Sequence, residues 1–358
     1  MKLKRTPTIA AISTIAAVAL ATSACSSDET KNITGEGSTA QQKAMQHFSD
    51  LLAEGGDVTL DYTGSGSGDG IKKFLNADVD FAGSDSPLKP EEAAKAKTRC
   101  AGNDAWHLPL VVGPVAIAYN LPGIDNLTLT PTVVADIFTK KITTWNDPKI
   151  VALNPGVDLP ALAIEPVHRS DSSGTTDNFQ KFLSKSAPAA WTLGAGKTFL
   201  GQGSGAAKST GVAQAVQQAK GTVTYVEWGF ATQYKLGVAK LNFGSGPVAL
   251  TAESAGKALD AITFKTPGSK DLVVDSDALF ASKAPGAYPL VLTPYSIVCS
   301  AGYENSDTSA ALKDAFTKIL NDGQAGLAEL GYVPLPAGYK STLQGTIDAL
   351  TGNGGGNA

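Results

Sequence analysis

The chain has 358 residues, 42% of them hydrophobic, with three cysteines, three histidines and a formal net charge of −4 at pH 7. That length suits two domains of ordinary size, and the apolar content is ample for real cores. The acidic balance excludes nucleic-acid binding through a basic face, so any anion bound here is caught by aimed hydrogen bonds rather than by a general positive field.

Residues 1–24 read as a segment apart from the fold. Lys2, Lys4 and Arg5 make a positive start, an apolar run extends from Ile9 to Ala21, and Ser23-Ala24 precede Cys25. This is the pattern of a secretory signal peptide, and the run is too short to cross a bilayer comfortably as a mature helix. Thr22-Ser23-Ala24-Cys25 resembles a bacterial lipobox, in which the cysteine is lipidated, although Thr22 stands where a bulky aliphatic residue is usual. Ordinary cleavage leaving a free Cys25 is the alternative. Residues 25–31 then form a polar tether above a membrane, and loss of the leader carries the net charge to about −7. An exported compartment favours pairing of Cys100 with Cys299, with two unrelated buried thiols as the other possibility.

Beyond the tether, short β-rich runs alternate with helical stretches. Val58–Tyr62 reads as a strand, a helix opens at Gly70–Leu75 after a glycine-rich turn, and Val79–Ala82 is a second strand. The apolar run Leu108–Tyr119 is long enough to pass between two sheets. Pro131–Lys140 reads as a helix, Ala163–Val167 as a strand leading to a helix through Leu183, and Thr222–Val226 as a strand before a helix at Glu227–Leu236. Ala310–Leu320 and Gln324–Leu330 complete the helices, and 351–358 reads as a disordered tail. Such alternation implies an α/β architecture.

Four segments place glycines beside hydroxyl residues: Gly35–Ala40, Thr63–Gly68, Gly83–Pro87 and Arg169–Thr175. The first, second and fourth precede helices, where free backbone N–H groups and Ser/Thr hydroxyls can hold an anion without net positive charge. Taken singly, each is an ordinary turn or cap; together they carry one arginine and one aspartate suited to an oxyanion.

In order and spacing these segments resemble the periplasmic phosphate-binding proteins of high-affinity phosphate importers, the PstS-type family, over essentially the whole mature chain. The matching residues are Gly35-x-Gly37-Ser38-Thr39, Tyr62-x-Gly64-x-Gly66-Ser67-Gly68-x-Gly70-x-Lys72, Asp80-Phe81-x-Gly83-Ser84-Asp85-x-Pro87 and Arg169-x-Asp171-x-Ser173-Gly174-Thr175-Thr176. Lys141-Ile142-x-x-Trp145-Asn146-Asp147, Tyr225-Val226-Glu227 and Tyr288-Pro289 add to them. The chain departs at Ala40, where an aromatic or bulky apolar residue is common, and at Gln41-Gln42-Lys43, which replaces a proline-rich step.

The resemblance implies a bilobal periplasmic-binding-protein fold, two α/β domains with a hinge and a ligand cleft between them. By analogy lobe I takes residues 32–112 and 297–350, and lobe II takes 113–296. It implies that one phosphate ion is held by Thr39, the Ala40 N–H, Ser67, Asp85, Arg169, Ser173, Gly174 and Thr175, with Asp171 supporting Arg169. It further implies a monomer, anchored to the membrane by lipid, that delivers phosphate to ABC permease subunits without a cofactor or metal. Arginine suits a bidentate grip on an oxyanion. Asp85 would accept the proton that phosphate retains and sulfate lacks, so it selects by repulsion.

The rival functions are the same fold tuned to another tetrahedral oxyanion, a phosphatase using Ser67 or Thr39, and a phosphate sensor. An enzyme needs a nucleophile with a base, or metal ligands. His47, His107 and His168 have no such partner, and neither a G-x-S-x-G elbow nor an H-E-x-x-H pair is present. Lys208-Ser209 hints at a P-loop, but Ala207 stands where its glycine belongs.

Overall fold

The computed structural model describes residues 30–260, 262–282 and 284–351. The leader, Cys25 and the residues from 352 onward, which carry the expectations of cleavage, lipidation and a disordered tail, lie outside them.

The chain first lays down β1 (Lys31–Gly37), a short 3-10 turn (Thr39–Gln41), α1 (Gln42–Gly55), β2 (Val58–Gly64), α2 (Ser67–Leu75) and β3 (Phe81–Ser84). The three strands are parallel, which requires a crossover between each, supplied here by α1 and α2. Ala44, Met45, Phe48 and Leu52 of α1 are buried, the stripe that a helix must turn to its sheet. After α3 (Pro90–Arg99) and β4 (Ala105–Leu108), residues 109–112 leave the first sheet.

The second lobe contains β5 (Gly113–Tyr119), β6 (Thr128–Leu129), α4 (Pro131–Phe138), α5 (Pro148–Val151), β7 (Glu165–Arg169), α6 (Gly174–Ser186) and β8 (Ser204–Ala206). It continues with α7 (Lys208–Gln218), β9 (Thr222–Glu227), α8 (Trp228–Gln233), β10 (Gly237–Val238), β11 (Lys240–Asn242), β12 (Pro247–Val248), α9 (Ala252–Leu259), α10 (Ser276–Ala281) and β13 (Val291–Leu292). Its main sheet runs β10-β5-β9-β7-β8, with β13 pairing to the start of β5 and a small sheet β12-β11-β6 beside it.

The chain then returns as β14 (Tyr295–Cys299), followed by α11 (Ser306–Asn321) and α12 (Ala337–Ile347). β14 inserts antiparallel between β3 and β4, giving the first sheet the order β2-β1-β3-β14-β4. The fold is therefore bilobal α/β, with one main sheet in each lobe and two chain crossings.

Three expectations need correction. The return to lobe I placed between 296 and 297 falls inside β14; the chain crosses at Thr293-Pro294, because Val291-Leu292 still pairs with β5 while Tyr295 already pairs with Ser84. Part of the range assigned to lobe II also packs on the first lobe. Asp271 accepts both the backbone and ring N–H of His107 at 2.7 Å, and Val274 N–H donates to Tyr295 OH at 3.1 Å. Gln324–Leu330 is a run of turns rather than a helix, since Gly326 sits at φ 80°, which a right-handed helix cannot accommodate.

Cys100, at the end of α3, is bonded to Cys299, at the end of β14. The bridge thus ties the two separate chain pieces of the first lobe across a sequence separation of 199 residues. Cys100→Ser with Cys299→Ser is expected to lower stability by about 2–5 kcal/mol, read as a shift in the denaturant midpoint.

Candidate functional site

The carboxyl ends of β1, β3, β7 and β9 converge where the lobes meet, the usual ligand position of open α/β sheets. At the end of β1, Gly37 holds φ 141°, and a Cβ there would lie 2.0 Å from the Gly83 carbonyl oxygen. Only glycine permits that approach, and it brings Ser38 N–H onto Gly83 O at 2.8 Å. The Ser38 hydroxyl accepts the Ala40 N–H at 3.0 Å and donates to Asp85 Oδ1. Ser67 opens α2; its hydroxyl meets Asp85 Oδ2 at 3.2 Å and accepts the Asp85 N–H at 3.2 Å.

Asp85 is thus a buried acid under two hydroxyl donors. Burial pushes it from an ordinary 3.8 to about 7, opposed by the Ser38 hydrogen bond, reinforced by the charge of Glu227, and opposed again by Arg169 and Ser67.

In the second lobe, Arg169 ends β7 and is fully enclosed, only 3% exposed. Its Nε donates to Asp171 Oδ1 at 2.7 Å and its Nη2 donates to Oδ2, a fork-to-fork pair. Nη1 is left pointing at Ser209 Oγ, 3.2 Å away, and at Thr175 Oγ1, 3.5 Å away. Burial alone would lower the arginine pKa, but hydrogen bonding and charge from Asp171, with Glu227 behind, hold it above its ordinary value. Burial likewise works against the Asp171 carboxylate, and the Arg169 hydrogen bonds and charge outweigh it, keeping its pKa low. Ser173 caps α6 by accepting the Thr176 N–H at 3.2 Å, and the Thr175 hydroxyl donates to Glu227 Oε1 at 2.6 Å.

The two halves touch directly. Thr39 Oγ1 and Ser209 Oγ are 2.7 Å apart, Gly68 N–H donates to Ser172 O at 3.0 Å, and Lys43 Nζ donates to Gly229 O at 2.7 Å. The start of α6 is pressed against the first lobe, so that a Cβ on Gly174 would lie 2.5 Å from Ser67 Oγ and 2.6 Å from Asp85 Oδ2. The lobes are closed on each other. The structure therefore brings Thr39, Ala40, Ser67, Asp85, Arg169, Asp171, Ser173, Gly174 and Thr175 into one buried cluster.

Three further residues join the cluster that the sequence reading did not assign to it. Ser38 lies in the first glycine-rich segment and Glu227 in Tyr225-Val226-Glu227, motifs whose pattern gives neither residue a role. Ser209 follows the broken P-loop pattern at Ala207-Lys208, and no sequence signal places it beside Arg169. His168 stacks on Phe199, with ring centroids 4.5 Å apart, and its Nδ1 meets the Arg169 carbonyl at 2.9 Å. Among the described residues no group of His, Cys, Asp and Glu is arranged to hold a metal, and no helix is long and apolar enough to cross a membrane.

Residues 21–320 match the family model of the PBP superfamily domain. Phosphate-binding protein PstS 3 of Mycobacterium tuberculosis is 41% identical over 95% of this chain and 98% of its own length. The chain belongs to the PstS-type family of phosphate-binding proteins. PstS of Xylella fastidiosa is more distant, 35% identical over 87% of this PstS-type chain and 84% of its own. Among solved structures, a high-affinity periplasmic phosphate-binding protein bound with phosphate superposes with a TM-score of 0.71 at 25% identity, covering 88% of this chain and 93% of that one.

Proposed function

We propose that this PstS-type protein is the solute-binding component of an ABC importer, capturing inorganic phosphate outside the cytoplasmic membrane and delivering it to the permease. The observation that carries the reading is the pairing, in one buried cluster, of an anion cradle with a proton acceptor, Asp85. The start of α6, Arg169 Nη1 and the hydroxyls of Thr39 and Ser173 supply donors, and Ser67 adds one when its hydrogen turns from Asp85 to the anion. Asp85 supplies the acceptor, which phosphate can meet with its P–O–H and sulfate cannot. A buried acceptor-to-acceptor meeting costs about 1–3 kcal/mol, more when charged.

The residues proposed to hold phosphate are Thr39, Ala40, Ser67, Asp85, Arg169, Ser173, Gly174 and Thr175, with Asp171 fixing the guanidinium. In this reading 109–112 and Thr293-Pro294 act as the hinge, Cys25 carries the lipid anchor, and the protein works as a monomer. The relatives bear names of binding proteins, and the buried cluster suits holding an anion.

Equilibrium dialysis of residues 26–358 against labelled phosphate tests the reading. Retention of one phosphate that excess sulfate fails to displace is expected; ready displacement by sulfate would send the assignment to another oxyanion. Asp85→Asn replaces one acceptor oxygen by a donor, and sulfate should then compete about tenfold better. The same logic gives a pH dependence. With Asp85 near 7, the acid below that pH carries a proton it can donate to sulfate, and above it is a charged acceptor. Discrimination against sulfate should therefore strengthen as pH rises through 7, and Asp85→Asn should remove the trend.

A further inference from the structure

Glu227, at the end of β9, is the one acid of the cluster without a part in the phosphate cradle. Its side chain is enclosed, 3% exposed. Oε1 accepts the Thr175 hydroxyl at 2.6 Å, while Oε2 is buried and has no hydrogen-bond partner among the described residues. A hydroxyl has a single hydrogen. With that hydrogen on Glu227, Thr175 offers the cleft only lone pairs, the side that Arg169 Nη1 approaches at 3.5 Å. An anion oxygen arriving at Thr175 would then face acceptor to acceptor.

The charges around Glu227 add to the conflict. Arg169 on β7 faces it but is already paired with Asp171, and Asp85, from the loop after β3, brings a second negative group. Lys43 on α1 gives its ammonium to the Gly229 carbonyl, and burial lowers its pKa despite the pull of Glu227. Tyr332, after α11, feels Glu227 and Asp85 together, and its hydroxyl donates to Ala40 O at 2.7 Å. Across the sheet, β5 presents the uncharged Val115. An anion entering among two carboxylates and one spoken-for arginine favours uptake of a proton.

We propose that Glu227 takes up a proton as phosphate binds. Oε1 receives it from the bulk buffer and donates it to Thr175 Oγ1, whose own hydrogen turns from Glu227 to a phosphate oxygen. Glu227 thereby switches Thr175 from acceptor to donor, and it is a positioning residue acting through Thr175. The neutral carboxyl also removes the burden of a bare charged oxygen at Oε2. The inference rests on the phosphate reading above.

Phosphate titrations by calorimetry, in two buffers of different ionisation enthalpy, count the protons. Because the charge of Glu227 helps to raise Asp85, both proteins compared carry Asp85→Asn, one with Glu227 and one with Glu227→Gln, and the difference isolates Glu227. The protein that keeps Glu227 should take up about one proton more per phosphate than the one that lacks it, and its affinity should fall more steeply as pH rises above neutrality. Equal proton counts in the two folded proteins would overturn the inference. A second readout leaves Glu227 in place: the infrared difference spectrum of Asp85→Asn with and without phosphate should gain the carbonyl band of a neutral carboxylic acid, which Asp85 can then not supply. Its absence while phosphate is retained overturns the proton uptake alone; failure of the wild type to retain phosphate overturns the functional reading with it.

Discussion

Replacing Arg169 with alanine should weaken phosphate binding by about a hundredfold or more, because truncating one partner of a buried, hydrogen-bonded charge pair costs about 2–5 kcal/mol. The damage has two sources. Nη1, the guanidinium nitrogen turned toward Ser209 and Thr175, is lost as a donor to the anion. Asp171 also loses both guanidinium hydrogen bonds, keeping that from Lys208 N–H, which leaves a further negative charge near Asp85 and Glu227. Stability should fall as well, visible as a lower denaturant midpoint. Arg169→Lys should recover only part of the affinity, since a point charge cannot engage both Asp171 oxygens and still reach the cleft. Dialysis with labelled phosphate beside a denaturant titration separates the two effects. Arg169→Ala binding phosphate as wild type does would remove the arginine from the site.

Gly174→Ala should leave each lobe folded and hold the lobes apart. The added methyl would lie 2.5 Å from Ser67 Oγ and 2.6 Å from both Cβ and Oδ2 of Asp85, all across the interlobe contact. The three nearest atoms it meets all belong to the first lobe, and alanine is a better helix residue than glycine. Overpacking of this kind costs about 1–3 kcal/mol, so phosphate affinity should drop roughly tenfold to a hundredfold. Thermal stability without phosphate should stay near wild type. Small-angle scattering with saturating phosphate should report a wider particle than wild type; an unchanged profile and affinity would mean that this contact does not limit closure.

Much of the site could be read from the sequence because its contacts come from contiguous motifs. Gly37-Ser38-Thr39, Ser67 before α2, Ser84-Asp85 and Arg169 through Thr175 each sit at a strand end or helix start, where local chemistry fixes the backbone. What escaped depends on tertiary placement. Ser209 reaches Arg169 from a helix whose preceding residues match no binding motif, and Glu227 meets the cluster through Thr175, 2.6 Å away and 52 residues earlier in the chain. In the fold, the strands and the long helices followed their apolar periodicity. The helix expected at Gln324–Leu330 has the right apolar residues, but Gly326 takes a left-handed turn. The return to lobe I falls earlier than expected because Val291–Val298 is buried throughout, Thr293, Pro294 and Ser296 included, and burial does not report which sheet a strand joins.

The insertion of β14 between β3 and β4 has a consequence for how the protein is made. β3 and β4 have no hydrogen-bonded contact with each other; the strand that joins them is encoded after the entire second lobe. As the chain emerges from its amino end, β1, β2 and β3 can pair, but β4 stays without a neighbour and Cys100 without a partner until Tyr295–Cys299 appears. The second sheet has all of its strands by Leu292. Assembly is therefore ordered from the middle outward: the inserted lobe is complete first, and the lobe that begins the protein is the last to close.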